Sequence, residues 1–137
     1  MIITALIIAA LWQVFDKAGR PGWYCLIPFY NVYKEFEIAW ETRKFWRTVL
    51  ALSCCYVCLI LVGIFEVMGD WVLMLLFLIV GIGFLVWYIV LIIKFHIRMA
   101  RAFGQSDGFG IGLAFLGPIF LAILGFGDAV YYGPQYD

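Results

Sequence analysis

A run of 23 residues without a charged side chain, from Trp71 to Ile93, constrains this chain more than any other stretch. At about 1.5 Å per residue a helix of this length reaches roughly 34 Å, enough to cross a hydrocarbon core of about 30 Å. Lys94, Arg98 and Arg101 follow at helical spacing, and basic residues mark the cytoplasmic end of a span. The run predicts a membrane-spanning helix.

The composition agrees with a membrane location. Hydrophobic residues make up 66% of the 137-residue chain, whereas soluble domains average roughly 45–50%. The formal net charge is zero, so the charge balance favours no nucleic-acid partner. We expect one all-α integral membrane domain over residues 1–137. It would be a polytopic bundle of three or four transmembrane helices with one re-entrant or interfacial segment.

Three other apolar runs are candidates for further spans, at residues 1–15, 48–65 and 109–126. The run at 48–65 is joined to the long helix by a short link in which Gly69 and Asp70 favour a tight turn, so these two helices are predicted to form an antiparallel hairpin. The last run contains Pro118 and several glycines. It either spans with a kink or enters the membrane and returns.

Residues 23–40 are too short between charges to cross a bilayer. Pro28 interrupts the apolar run, and several tryptophans and tyrosines of the type that favours the headgroup level surround it. A re-entrant or interfacial segment fits better than a span, and the alternative is a cytoplasmic helical lid.

Counting basic residues then sets the orientation. If residues 1–15 cross inward and 23–40 do not cross, the N-terminus lies outside and every basic residue is cytoplasmic, as the positive-inside rule favours. These nine residues are Lys17, Arg20, Lys34, Arg43, Lys44, Arg47, Lys94, Arg98 and Arg101.

Small residues predict where helices meet. Ala51, Cys54, Cys55 and Cys58 fall on one helical face, and small residues let membrane helices approach closely. We read the cysteines as reduced, buried thiols. Gly81 and Gly83 in the long helix, and Gly110, Ala114 and Gly117 in the last segment, are the expected contact points.

Few residues suggest a functional site. Lys94, Arg98 and Arg101 would either hold anionic lipid headgroups or anchor a helix end. Pro28, Asn31, Pro118 and Asp128 are candidates for a ligand site or for helix breaks and caps. His96 is read as interfacial, because no acidic partner lies in mid-helix. No catalytic, cofactor or metal-ligand spacing is present.

Two motifs resemble a family of small bacterial membrane proteins of unknown function. Members carry the pattern KAGKPGW–hydrophobic–IPxYN–Y near the start and FGK–GFGLGL–P–ILGFGDA–Y near the end. The first is matched by Gly19, Pro21, Gly22, Trp23, Ile27, Pro28, Tyr30 and Asn31. The second is matched by Gly104, Gly108, Phe109, Gly110, Gly112, Pro118, Leu124, Gly125, Gly127, Asp128, Ala129 and Tyr131. The resemblance implies a membrane protein and no activity.

Members of that family are sometimes labelled signal peptidase I, and this label fails on the residues. The peptidase needs a serine nucleophile beside a lysine base on a large soluble β domain. Ser53 lies inside an apolar run, Ser106 lies in a loop predicted to be cytoplasmic, and the chain has no room for the domain.

The sequence thus predicts a small non-enzymatic protein of the bacterial inner membrane, without cofactor, which acts as a structural or accessory protein through lipid or partners. Those partners include another membrane protein or further copies of the chain. The alternative is a small oligomeric transporter or channel. It rests on the two Gly/Pro-broken segments 19–31 and 104–120, since broken helices in internal repeats occur in transporters.

Overall fold

The computed structural model describes residues 1–135, which form helices joined by short links. The helices are α1 (Ile2–Lys17), a short 3₁₀ helix (Gly22–Leu26), α2 (Tyr30–Ala39), α3 (Thr42–Met68), α4 (Trp71–Ala102), α5 (Asp107–Phe115) and α6 (Gly117–Phe126). No strand occurs within this range. The predicted all-α class is confirmed.

The chain divides into two compact units. One unit comprises Met1–Phe45 together with the chain from Ile93 onward, and the other comprises Trp46–Ile92. The first is therefore assembled from two separate stretches of sequence. The second is continuous and consists of residues from α3 and α4.

The unit Trp46–Ile92 is an antiparallel hairpin. Gly69 adopts a left-handed φ of +76° in the turn, which glycine does without a steric penalty. The Asp70 carboxylate then accepts a hydrogen bond of 3.2 Å from the Leu73 amide and caps the start of α4. The rings of Phe65 and Phe77 stack with their centroids 5.6 Å apart. The predicted hairpin between these two helices is confirmed.

The small residues of α3 form the seam of this hairpin at one point. A Cβ atom added to Gly81 would stand 3.1 Å from the Cβ atom of Cys58, so even an alanine at this position would push the two helices apart by a few tenths of an ångström. Cys58 and Cys55 are buried, and all four cysteines are free. Gly83 has open space beside it, so its predicted role as a contact point was wrong.

Two helices are long and apolar enough to cross a membrane. The most apolar windows of α3 and α4 have mean hydropathies of 2.5 and 2.9, and only 22% and 6% of their residues are buried. The core helix of a soluble protein has most of its residues buried, so these helices do not resemble one. α1 has 16 residues and α6 has 10, which leaves both below the length of an ordinary span.

Two predicted segments differ from the observed helices. Residues 109–126 are not one continuous helix, because the chain breaks at Leu116 and α6 restarts with Pro118 in its first turn. Proline has no amide hydrogen and is tolerated in a first turn, which explains where the new helix begins. α4 continues to Ala102, nine residues past the apolar run that ends at Ile93, and so includes Lys94, Arg98 and Arg101 at their predicted helical spacing.

The other unit is closed by contact between α1 and α6. The helices approach so closely that a Cβ atom on Gly125 would stand 2.6 Å from the Ala10 carbonyl oxygen. The Lys17 ammonium donates hydrogen bonds of 2.8 and 2.7 Å to the carbonyl oxygens of Leu124 and Gly127. A cation at these unpaired carbonyls stabilises the C-terminal end of α6.

The hairpin seam is testable with a matched pair of glycines. Gly81→Leu should destabilise the protein by about 1–3 kcal/mol, because the added side chain meets Cys58 across the seam. Gly83→Leu, on the same helix, adds the same side chain where nothing lies within 4 Å and should leave the thermal midpoint in detergent close to that of the parent. Equal midpoints for the two variants would contradict the seam.

Candidate functional site

The orientation of α2 determines which of its side chains face inward. Phe36 and Ile38 are fully buried, and the Phe36 ring stacks on Phe95 of α4 with centroids 4.2 Å apart and an interplanar angle of 16°. This stack anchors α2 against the residues of α4 that follow Ile93. Successive residues of a helix point about 100° apart, so the side chains beside Phe36 cannot all reach solvent.

The Lys34 side chain of α2 lies among aromatic rings and is largely covered. Its ammonium lies 5.4–5.8 Å from the ring centroids of three tyrosines, Tyr24, Tyr30 and Tyr33. It also bonds the Glu37 carboxylate at 2.8 Å, and this hydrogen bond raises the pKa of Lys34. These three tyrosines belong to the segment 23–40, whose aromatic residues were predicted to lie at the headgroup level, and they surround Lys34 of the same segment.

The Glu35 side chain of α2 borders a cavity. The cavity has a volume of about 140 Å³. Its lining residues come from α1, α2, α4, α5 and α6: Leu11, Glu35, Phe95, His96, Met99, Leu113, Gly117 and Leu121. Apart from Glu35 and His96 these side chains are apolar. The cavity is therefore a hydrophobic pocket with one carboxyl and one imidazole in its wall.

Burial changes the protonation of this carboxyl. Desolvation raises the pKa of Glu35 from its ordinary value of 4.5 to about 7, since an apolar environment penalises the charged form. Glu35 keeps some accessible surface because it borders the cavity, yet protein atoms surround it densely. Burial also raises the pKa of the Cys25 thiol, and the Glu35 charge raises it further.

His96 reaches the cavity because α5 fixes the end of α4. A Cβ atom on Gly110 would stand 2.5 Å from the Ile97 Cα atom and 3.0 Å from the His96 carbonyl oxygen, so only glycine fits this crossing. The bidentate ion pair between Arg101 and Asp107, with distances of 2.6 and 2.7 Å, joins the same two helices. Gly110 was predicted as a contact point and is confirmed, whereas Gly117, predicted with it, has nothing within 4 Å of an added Cβ atom, so that prediction was wrong.

The three basic residues Lys94, Arg98 and Arg101 of α4 have different surroundings. Arg98 donates a hydrogen bond of 3.1 Å to the Gln135 carbonyl oxygen, and its guanidinium lies 5.6 Å from the Trp40 ring centroid. Arg101 pairs with Asp107, which holds the pKa of that carboxyl below its usual range. Lys94 is exposed. Headgroup binding by this row stays a prediction, with Lys94 and Arg101 its exposed members.

Pro28 lies in the link between the 3₁₀ helix and α2, and Asn31 lies in the first turn of α2. The Asn31 side-chain amide donates a hydrogen bond of 3.3 Å to the Cys25 carbonyl oxygen, so it satisfies the end of the 3₁₀ helix as a cap residue does. Phe29, after Pro28, has a φ of +60°, a backbone conformation that is costly for a residue other than glycine. These residues shape a turn.

Pro118 and Asp128 lie apart from Glu35. Pro118 contributes to an apolar surface pocket together with Ile3, Leu6, Ile7, Ile119 and Ala122. Asp128 is exposed beyond the end of α6 and borders a separate pocket with Gln105, Phe109, Ile123, Leu124, Gly127 and Ala129. The structure therefore does not bring the four predicted ligand or helix-break residues into one site.

Glu35 was not among the candidate residues predicted from the sequence. Its apolar context contained one usable signal, because Glu35 shares a helical face with Ile38 and Ala39, both fully buried. An acid on the buried face of a short amphipathic helix indicates an interior carboxyl. His96 and Glu35 line the same cavity although they lie far apart in the chain, and that proximity was not visible in the sequence.

No metal site accompanies the cavity within residues 1–135, where no group of three or more His, Cys, Asp and Glu side chains comes together. What the arrangement provides is a carboxyl that changes its protonation near neutral pH, inside an apolar pocket.

The raised pKa makes stability depend on pH in a defined direction. The folded state holds the Glu35 proton more tightly than the unfolded state, so stability falls as pH rises from about 4.5 to about 7. Glu35→Gln removes this penalty and should stabilise the protein above pH 7 by on the order of 2–3 kcal/mol relative to its effect near pH 4.5. Thermal unfolding of both proteins across this range measures it. A difference independent of pH would contradict the raised pKa.

A second pair of glycine variants tests the close crossing of α5 and α4. Gly110→Ala should lower stability by about 1–3 kcal/mol, because the new methyl group meets the backbone of Ile97. Gly63→Ala, in the interior of α3, where an added Cβ atom meets nothing within 4 Å, should be neutral or stabilising through the better helix propensity of alanine. Unfolding in detergent compares the two, and an unaffected Gly110→Ala variant would exclude the close crossing.

Comparison with known proteins places the chain in one family. A family of unknown function (DUF5684) matches residues 23–134, which include Glu35, His96 and the break at Leu116. No curated protein and no solved structure gives a match. This finding agrees with the resemblance to a family without known activity, while the bacterial and membrane parts of that resemblance stay predictions. The chain belongs to DUF5684, a family of unknown function.

Proposed function

We propose that this chain is an integral membrane protein whose hairpin Trp46–Ile92 spans the bilayer. The observation that carries the proposal is the exposure of the apolar side chains on α3 and α4, where Ile60, Leu75 and Ile79 are more than half exposed. Exposed apolar area of this extent is costly in water and favourable against lipid. The location we propose is the bacterial inner membrane.

The distribution of charge supports an orientation. The turn of the hairpin carries Glu66 and Asp70, whereas eight of the nine basic residues belong to the other unit, all except Arg47. A span with acids at one end and bases at the other is oriented with the bases in the cytoplasm. We place α1 as a further, inward-crossing helix with the N-terminus outside. Its exposed residues Ile2, Ile3 and Leu6 would then face lipid.

Cysteine labelling tests both proposals. In a background with the four native cysteines replaced by alanine, single cysteines are introduced at Arg20, Lys94 and Glu66, all exposed. An impermeant thiol reagent should reach the Glu66 position from outside and the other two only after the membrane is opened. Labelling of Arg20 and Lys94 positions from opposite sides would overturn the topology, and release of the protein by alkaline carbonate would overturn the membrane location.

The role we propose is non-enzymatic, that of a structural or accessory protein that acts through lipid or another membrane protein. It is supported by two continuous helices that present apolar surface along their length, and by the exposed Lys94 at the end of one of them. Native mass spectrometry from mild detergent tests it. Retained anionic lipid that is lost in Lys94→Gln but kept in Arg43→Gln would support headgroup contact, and equal retention would exclude Lys94 from it.

A small transporter is the second candidate, favoured by the cavity beside the break between α5 and α6. Discontinuous helices next to a carboxyl are a feature of transport sites. Proteoliposomes that accumulate a substrate in a manner abolished by Glu35→Gln would favour this role over the accessory one. Absence of flux in vesicles that contain correctly inserted protein would exclude it.

A further inference from the structure

The cavity that contains Glu35 has the size of a small organic molecule. Its volume of about 140 Å³ is close to that of an engineered apolar cavity of roughly 150 Å³ that binds benzene. Four of its lining side chains, Leu11, Met99, Leu113 and Leu121, are aliphatic or thioether groups from four different helices. A ligand that enters would therefore meet hydrocarbon on several sides and a carboxyl on one.

The ionised carboxyl in this wall requires a positive charge. An apolar environment strongly disfavours an isolated carboxylate, so it either takes up a proton or pairs with a cation. No lysine or arginine lines the cavity in the part of the chain that the structure describes. Nearby basic side chains have other partners: Lys34 bonds Glu37, and Lys17 bonds the α6 carbonyls. A cation from solution can therefore pair with this carboxylate when it is ionised.

We propose that this cavity binds a small organic monocation, a protonated amine with an apolar body no larger than a six-membered ring. The ammonium group donates to the Glu35 carboxylate in a charge-assisted hydrogen bond, and the hydrocarbon body occupies the space lined by Leu11, Met99 and Leu121. This assignment names a ligand class for the cavity and is independent of any transport, because binding needs no flux.

The proton competes with this ligand. The pKa of Glu35, about 7, means that acidification neutralises the carboxyl within an accessible range. From the surrounding elements, α1 presents Leu11, and α5 and α6 present no ionisable side chain to the cavity. α4 presents His96, the other ionisable side chain in the wall of the cavity. The Cys25 thiol, whose pKa is raised, stays neutral.

The binding experiment uses the full chain in detergent with cyclohexylammonium chloride as the probe and cyclohexanol as its neutral counterpart. Calorimetric titration should detect binding of the amine, and at equal concentration much weaker binding of the alcohol. Affinity for the amine should fall about 30-fold between about pH 8.5 and about pH 5.5, in proportion to the ionised fraction of a carboxyl with the pKa of Glu35.

Three variants separate charge from structure. Glu35→Gln should weaken amine binding by at least about tenfold and remove most of its pH dependence, whereas Glu35→Asp should retain part of both. Glu66→Gln, an exposed carboxyl in the hairpin turn, should change neither. Equal affinity for amine and alcohol, or binding by wild-type protein that does not weaken in acid, would overturn the proposal even if a Glu35 variant fails to fold.

Discussion

The stack of Phe36 on Phe95 is the contact on which the candidate site depends. It fixes a helix of ten residues against the end of α4, and the regular turn of the helix then dictates the positions of its neighbours. Lys34 is directed to its tyrosines and Glu37, while Glu35 is directed inward. A buried aromatic pair contributes more than area burial alone, so it can hold a carboxyl in an unfavourable place. The cost of that placement is the raised pKa of Glu35.

The basic residues illustrate how packing divides a pattern that looks uniform in the sequence. Lys94, Arg98 and Arg101 are spaced as a single row, yet Arg98 contacts Trp40 and the Gln135 carbonyl while Arg101 holds Asp107. Lys17, which the sequence suggested as a simple topology marker, closes the end of α6. Basic side chains in this protein therefore contact the ends of helices and the faces of aromatic rings, in addition to the role proposed for them in membrane orientation.

Periodicity and run length were sufficient to predict the all-α class, the hairpin and its seam at Gly81, because these depend on contacts between neighbouring segments. They also located Gly110 as a place of close approach. They failed for Gly83, whose open surroundings depend on how the two helices turn about each other. They failed for Glu35 as well, since its cavity is built from five helices that only the tertiary fold brings together.

The pairing of α1 with α6 sets an order of events during synthesis. The hydrogen bond from Lys17 to the Leu124 carbonyl joins residues separated by 107 positions, and Lys17 to Gly127 joins residues separated by 110. Contacts between distant positions form late, because the intervening chain must first be closed into a loop. The hairpin residues 46–92 are all synthesised before residue 127. The contact between Ala10 of α1 and Gly125 of α6 therefore forms later in synthesis than the hairpin is able to form.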